Sequence, residues 1–353
     1  MFRLAGMSSS IIRESRTDKG ASTGMDTRAS IRRTRHALLG ALALLLLLGT
    51  LQAQAAAPLR VSFIPSRDTP LYQTVIDGAR EAMAGLRPAP AIRVIALASF
   101  QNQAASVEAA SDLLVPIGIQ ATKVVLQYST RTDILATLVP YASLRANHAR
   151  FAAPTAGSQR RIGAVLLDQP LDRQLLLAEV LLGPTQQIGT LLGPLSGKQR
   201  TALQLAAHRL GLLLVSSEVS DESELMPALS RLLARSDVLL ALPDPLVFNR
   251  RNLRNILLST YRQRIPVIGF SRAMVRAGAL AAVYSTPEEI GRQTGQILAD
   301  LQRRPQTPLP ATVRPRKFEV AINAQVARSF GLGAIDGKQV ARQIQQREAE
   351  QQP

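Results

Sequence analysis

From Leu59 onward the chain alternates short apolar runs with amphipathic stretches, and few folds accommodate that rhythm. Eleven runs read as strands: 59–65, 91–97, 112–118, 133–140, 161–167, 187–193, 212–218, 237–243, 265–270, 279–285 and 317–323. Helical patterns separate most of them. In "TPLYQTVIDGAREAMAGL" the residues Leu71, Val75, Ala79 and Met83 fall on one helical face. Strands alternating with helices mean βαβ units, parallel sheets and an α/β fold. Parallel strands are covered on both faces, which accounts for runs such as "DVLLALP" with no polar alternation. Eleven strands exceed one modest sheet. They divide after the fifth, near Asp168-Gln169-Pro170, into two lobes of similar construction. The proline-rich "RRPQTPLPATVRPRK" (303–317) reads as a connector, and "QQREAEQQP" as a frayed polar tail.

Open parallel sheets bind ligands beyond the carboxyl ends of their strands. Ser66, Gln120, Tyr141, Ser196, Asp244, Ser271 and Tyr284 all fall at such ends, with Thr122 beside Gln120 and Phe248 just past Asp244. These nine are the candidate ligand-binding residues. Asp244 stands out, because five apolar residues run into it and prolines flank it on both sides. Pro245 disfavours helical backbone at Asp244, which narrows the directions open to its side chain. Two readings follow. The carboxylate holds a ligand, or it accepts from the N–H of Leu246 and caps a turn.

Catalytic chemistry has little to work with. There is no cysteine, so thiol catalysis, disulfides, Cys-zinc sites and a lipid-modified Cys are excluded. The three histidines, His36, His148 and His208, form no metal spacing, and neither H-E-x-x-H nor G-x-S-x-G occurs. "LLGPLSGKQR" fails the phosphate-loop pattern, since Leu192 stands where its first Gly belongs and Gln199 follows Lys198. Glu288 and Glu289 after Pro287 suit the start of a helix. No catalytic residue, metal or cofactor is assigned. With no Trp, a planar ligand has only Phe and Tyr rings to stack on, and Tyr141, Phe248 and Tyr284 are the best placed.

The formal charge is +17, and the chain beyond residue 55 still holds 34 Lys/Arg against 22 Asp/Glu. No dense basic run accompanies that excess, so nucleic acid is not an expected partner. The N-terminal part is an address. Arg28, Arg32, Arg33 and Arg35 precede an apolar run from Ala37 to Leu48, and Ala53-Gln54-Ala55 offers a small-x-small cleavage site. A cleavable secretory signal, cut after Ala55, follows from that order, with translation starting at Met25 rather than at Met1 or Met7.

"DVLLALPDPLVFN", "RIPVIGFSRAMVRAGALAAVYSTPEEIGRQTGQIL" and "KFEVAINAQVARSFGL" resemble the ABC-transporter substrate-binding protein family that includes tryptophan- and tyrosine-binding members. The resemblance runs from about Leu59 to Leu332, and "DLLVPIGIQATKVVL" and "ILATLVP" carry it in the first half. It implies the type I periplasmic-binding fold, two Rossmann-like lobes joined by three crossovers. It implies an N-lobe of 59–166 plus 286–312, a C-lobe of 167–285 plus 316–332, and a polar tail over 333–353. A small molecule, an amino acid or related metabolite, would be captured between the lobes for a membrane permease. Having no Cys, the chain would be free in a periplasm, as a monomer. Where amino-acid binders of the family carry a Thr-Asp-Asn run, this chain has Pro243-Asp244-Pro245, so its ligand could differ. A periplasmic sensor reporting to a membrane receptor or kinase would use the same clamshell, and a periplasmic α/β enzyme is a third reading.

Overall fold

A computed structural model describes residues 57–151, 160–183 and 186–350. The expected signal, its cleavage site and the candidate starts at Met1, Met7 and Met25 lie outside the described residues. All eleven apolar runs contain a strand. Arg60–Pro65 (β1), Ala91–Val94 (β2), Leu113–Ile117 (β3), Asp133–Val139 (β4) and Ile162–Leu166 (β5) form one sheet in the order β2-β1-β3-β4-β5. Every pair in it is parallel. Gln187–Leu192 (β6), Leu213–Glu218 (β7), Val238–Leu240 (β8), Val267–Gly269 (β9), Ala281–Tyr284 (β10) and Glu319–Ile322 (β11) form the other, in the order β11-β10-β9-β8-β6-β7. Only β11 runs antiparallel to its neighbour.

Continuous burial holds for central strands such as β3, which is buried throughout, and fails at the edges. β2 and β7 are partly exposed along their lengths, because an edge strand lacks a neighbour on one side. β8 and β9 are only three residues long.

Twelve α-helices occur among the described residues, ten of them between strands and two after β11. Pro70–Met83 (α1) buries Val75, Ala79 and Met83 as the periodicity predicts, but Leu71 is 49% exposed. Leu71 lies in the first turn, beyond the end of the sheet, where nothing packs over it. Leu97–Ala109 (α2), Ile119–Tyr128 (α3), Tyr141–Phe151 (α4), Leu171–Leu182 (α5), Arg200–Arg209 (α6), Glu222–Leu233 (α7), Arg250–Arg262 (α8), Arg272–Ala277 (α9), Pro287–Arg303 (α10) and Ala324–Ser329 (α11) follow in order. A short 3₁₀ turn, Ser196–Gln199, leads into α6.

The chain passes between the sheets three times. It leaves the first after β5, at 167–170. It returns after β10, where α10 packs on α1 and places Ile290 and Leu298 in one cluster with Val61, Phe63 and Val115. That helix pair is closely seated. Cβ atoms added at Gly291 and Gly295 would strike the carbonyl oxygens of Val75 and Ala79, so only glycine allows this approach. Val313 then bridges Val165 of β5 before the chain crosses a third time to β11.

The tail departs from its expectation. Gly337–Glu350 forms a helix (α12) that packs on α5 and β11 and buries Val340 and Ile344 in the second sheet's core. Its polar composition belongs to the solvent side. Two apolar residues one turn apart are enough to seat it.

Candidate functional site

In each sheet the strand order reverses once, between β1 and β3 in the first and between β6 and β8 in the second. Such reversals open a crevice at the carboxyl ends of the strands, where ligands of open α/β sheets bind. The two crevices are built differently.

At the first, Ser66 ends β1 and is buried. Its hydroxyl donates to the Ile117 carbonyl at 2.8 Å and accepts from the Ala121 N–H at 2.9 Å, lacing β1 to the start of α3. Thr122 is fully buried and its hydroxyl donates to the Gly118 carbonyl at 2.8 Å, so it is spent within the helix. Between them Ile119 and Gln120 are exposed, and their backbone N–H groups have no partner among the described residues. Gly118 makes the turn at φ +85°. A Cβ there would lie 2.9 Å from the Tyr72 hydroxyl, which places Tyr72 beside this crevice. Tyr72 also lines a hollow of about 300 Å³ with Arg67, Asp68 and Val94, at the ends of β1 and β2. Tyr72 sits on a helix rather than at a strand end, so sequence does not single it out.

Tyr141 begins α4, half-buried, after a bulge that gives Leu138 a φ of +57°. Its N–H donates to the Asp168 carboxylate, and the Arg314 guanidinium stands 5.8 Å from its ring centroid. A bulge of this kind re-aims the end of a strand.

At the second crevice Asp244 is 3% exposed and its carboxylate is turned into the protein. Oδ2 accepts from the N–H groups of Leu195 (3.0 Å) and Ser196 (2.8 Å) and from the Ser196 hydroxyl (3.0 Å). Oδ1 accepts from the Leu246 N–H at 3.0 Å. A carboxylate offers about four acceptor sites, and the protein supplies four donors. The turn-capping geometry is present, extended to a second loop. Gly193 permits it, because a Cβ there would fall on the Asp244 carboxyl carbon at 2.5 Å. Ser196, fully buried, also accepts from the Gly193 N–H at 2.8 Å. Both residues thus bond to the protein itself.

The remaining candidates are scattered. Phe248 packs edge-on against Phe270 with centroids 6.0 Å apart, at the margin of an apolar cluster. Ser271 caps α9 by accepting from the Met274 N–H at 3.2 Å. Tyr284 donates to Glu319 at 2.6 Å, toward the β11 edge of the sheet. Burial, and then the Glu319 carboxylate, push its phenol up to about 12.

The three crossings are tied to one another. Gln169 donates to Ser285 at 2.9 Å, and Ser285 donates to the Lys317 carbonyl. The Arg314 guanidinium donates to the Gln169 carbonyl, and Gln293 donates to the Arg314 carbonyl. Buried Arg173 donates to the Gln169 side chain and the Pro315 carbonyl, and pairs with Glu348 of α12 at 2.7 Å. Asp168, buried where the first crossing begins, is raised above the usual carboxylate range by burial, offset in part by the Tyr141 N–H and the Arg314 charge. No cluster of residues able to hold a metal occurs among the described residues.

Two largely parallel sheets, each with one switch point, joined by three bonded crossings, make a two-lobed α/β fold of the type I periplasmic-binding class. The family described as ABC transporter substrate binding protein matches residues 160–334 of this chain. Solved structures agree on the fold. The ligand-free, open structure of a substrate binding protein with adhesive properties from Clostridium difficile is similar with a TM-score of 0.61 at 18% identity, over 79% of this chain and 97% of that one. A domain from Streptococcus pneumoniae in complex with L-Trp gives 0.52 at 16% identity, over 80% and 98%. A conserved domain protein from Vibrio cholerae gives 0.51 at 19% identity, also over 80% and 98%. No curated protein matches the chain. The matched family consists of binding proteins that work with ABC permeases.

Proposed function

We propose that the protein is a periplasmic solute-binding protein that closes its two lobes on a small molecule of the amino-acid class and presents the closed form to the permease of an ABC importer. The observation that carries this reading is one switch point in each of two lobes joined by three crossings, in a chain whose residues 160–334 match the substrate-binding family. In this reading the first lobe supplies the grip. The Ile119 and Gln120 N–H groups and the Gln120 side chain take the polar end of the solute, and Tyr72 and Tyr141 take its apolar part. Exposed Leu71, Val94 and Ile119 leave that lobe's strand ends largely apolar, as small-molecule sites are. Asp244 and Ser196 hold the facing wall in place.

The structurally similar Streptococcus pneumoniae domain was solved with L-Trp, which makes aromatic amino acids the first probes. A thermal-shift screen of the amino acids on the secreted protein tests the reading. A ligand at 100 times its Kd stabilises by about 2.7 kcal/mol, and L-tryptophan or a related amino acid should do so. If no amino acid moves the melting temperature, the solute class is wrong.

A further inference from the structure

Away from both switch points, the C-lobe carries a groove of about 730 Å³ along the outer edge of β11, between α9 and α12. Arg272 and Arg276 of α9 line one side, and Lys338 and Arg342 of α12 the other. All four are exposed, and no side chain among the described residues pairs with any of them. Elsewhere on the surface Arg60, Arg161, Arg209 and Arg292 each sit against a carboxylate. The one acid in the groove, Glu319, already accepts from Tyr284. Four unpaired cations around a single engaged carboxylate leave the groove strongly positive.

The spacing of these charges identifies what fits. Each helix contributes its pair at i and i+4, about 6 Å apart along the axis. In an extended peptide, residues i and i+2 are roughly 6.6–6.8 Å apart and point to the same side. An extended segment with an acid at every second position therefore meets successive cations. Strand pairing along the whole edge is blocked, because Gly337 sits against the outward Val320 carbonyl. Charge, rather than backbone pairing, has to carry the recognition.

We propose that this groove is a docking site for an extended acidic segment of a partner protein, with Arg272, Arg276, Lys338 and Arg342 reading alternate carboxylates. The proposal is independent of which solute the cleft takes.

The test uses a fluorescent octapeptide alternating Glu with Thr, titrated against the protein by anisotropy. A second peptide has the same composition with its four Glu in one block, and citrate serves as a compact anion. The alternating peptide should bind several-fold more tightly than the blocked one and should weaken as salt rises from about 50 to 200 mM. Replacing Arg272, Arg276, Lys338 and Arg342 together by Gln should lower its affinity about tenfold or more. Arg231→Gln, on the exposed side of α7, with Arg235→Gln just past its end, should leave it unchanged. Unaltered melting of both variants shows that they are folded. Equal binding of the two peptides, displacement by equimolar citrate, or an affinity untouched by the fourfold variant would overturn the proposal.

Discussion

The two switch points occupy the same place in the topology of their lobes and solve the same problem in opposite ways. In the first lobe a neutral hydroxyl, Ser66, braces strand to helix with two bonds and leaves the Ile119 and Gln120 amides facing outward. In the second, a carboxylate four residues past β8 reaches across to the turn after β6 and takes the corresponding amides, Leu195 and Ser196, for itself. One crevice presents donors and the other has consumed them. An acid at a strand end can build the wall of a site rather than contact its ligand.

The largest effect is expected where the internal carboxylate is neutralised. Asp244→Asn retains the shape but offers one acceptor oxygen for four donors. Losing charge-assisted bonds at a buried site should cost about 1.5–3 kcal/mol of stability, read by chemical denaturation. Solute affinity should change little. A mutant with normal stability and an affinity reduced ten- to a hundredfold would reverse the comparison and make Asp244 a ligand contact.

Ser66→Ala is the matching experiment in the first lobe. It removes two neutral bonds, so its cost should be smaller, about 1 kcal/mol. A loss as large as that of Asp244→Asn would mean that the lobes are braced alike.

Gln120→Ala should sharpen the comparison from the other side. The residue is exposed, so stability should stay within about 0.5 kcal/mol, while affinity for the solute drops several-fold in calorimetry. Normal affinity here would move the grip away from α3.

The smallest effect concerns Asp168. Because its folded pKa is raised, the folded state binds a proton there more readily than the unfolded chain does. This group therefore favours the fold at low pH, and that contribution is lost as pH rises through the raised value. Asp168→Asn keeps an acceptor for the Tyr141 N–H and removes the buried charge. Relative to the wild type it should melt slightly higher near pH 7, with the difference closing toward pH 4. A variant less stable at pH 7 would show that the Arg314 interaction outweighs burial.

The sheets were legible because parallel strands buried on both faces leave runs such as "DLLVPIG" that nothing else in the chain imitates. The helix α12 was not, since only Val340 and Ile344 betray its buried face among glutamines and arginines. The site was legible in position and not in role. Sequence places Asp244 at a strand end and offers the Leu246 N–H as its donor, but the other three donors it meets lie 48 and 49 residues earlier in the chain. The glycine that makes room, Gly193 in "LLGPLSG", is visible only as a turn residue. Tyr284 reads as a cleft ring, yet Glu319, brought alongside by an antiparallel strand from beyond the proline-rich connector, draws it to the sheet edge. Only the third crossing makes these two neighbours.

Amide hydrogen exchange, followed residue by residue with and without saturating solute from the thermal-shift screen, tests the asymmetry most directly. In the free protein Leu195 and Ser196 should already be protected by Asp244, and the solute should change them little. Ile119 and Gln120 should exchange freely and become protected when the solute binds. Protection gained at Leu195 and Ser196, with Ile119 and Gln120 unchanged, would contradict the account.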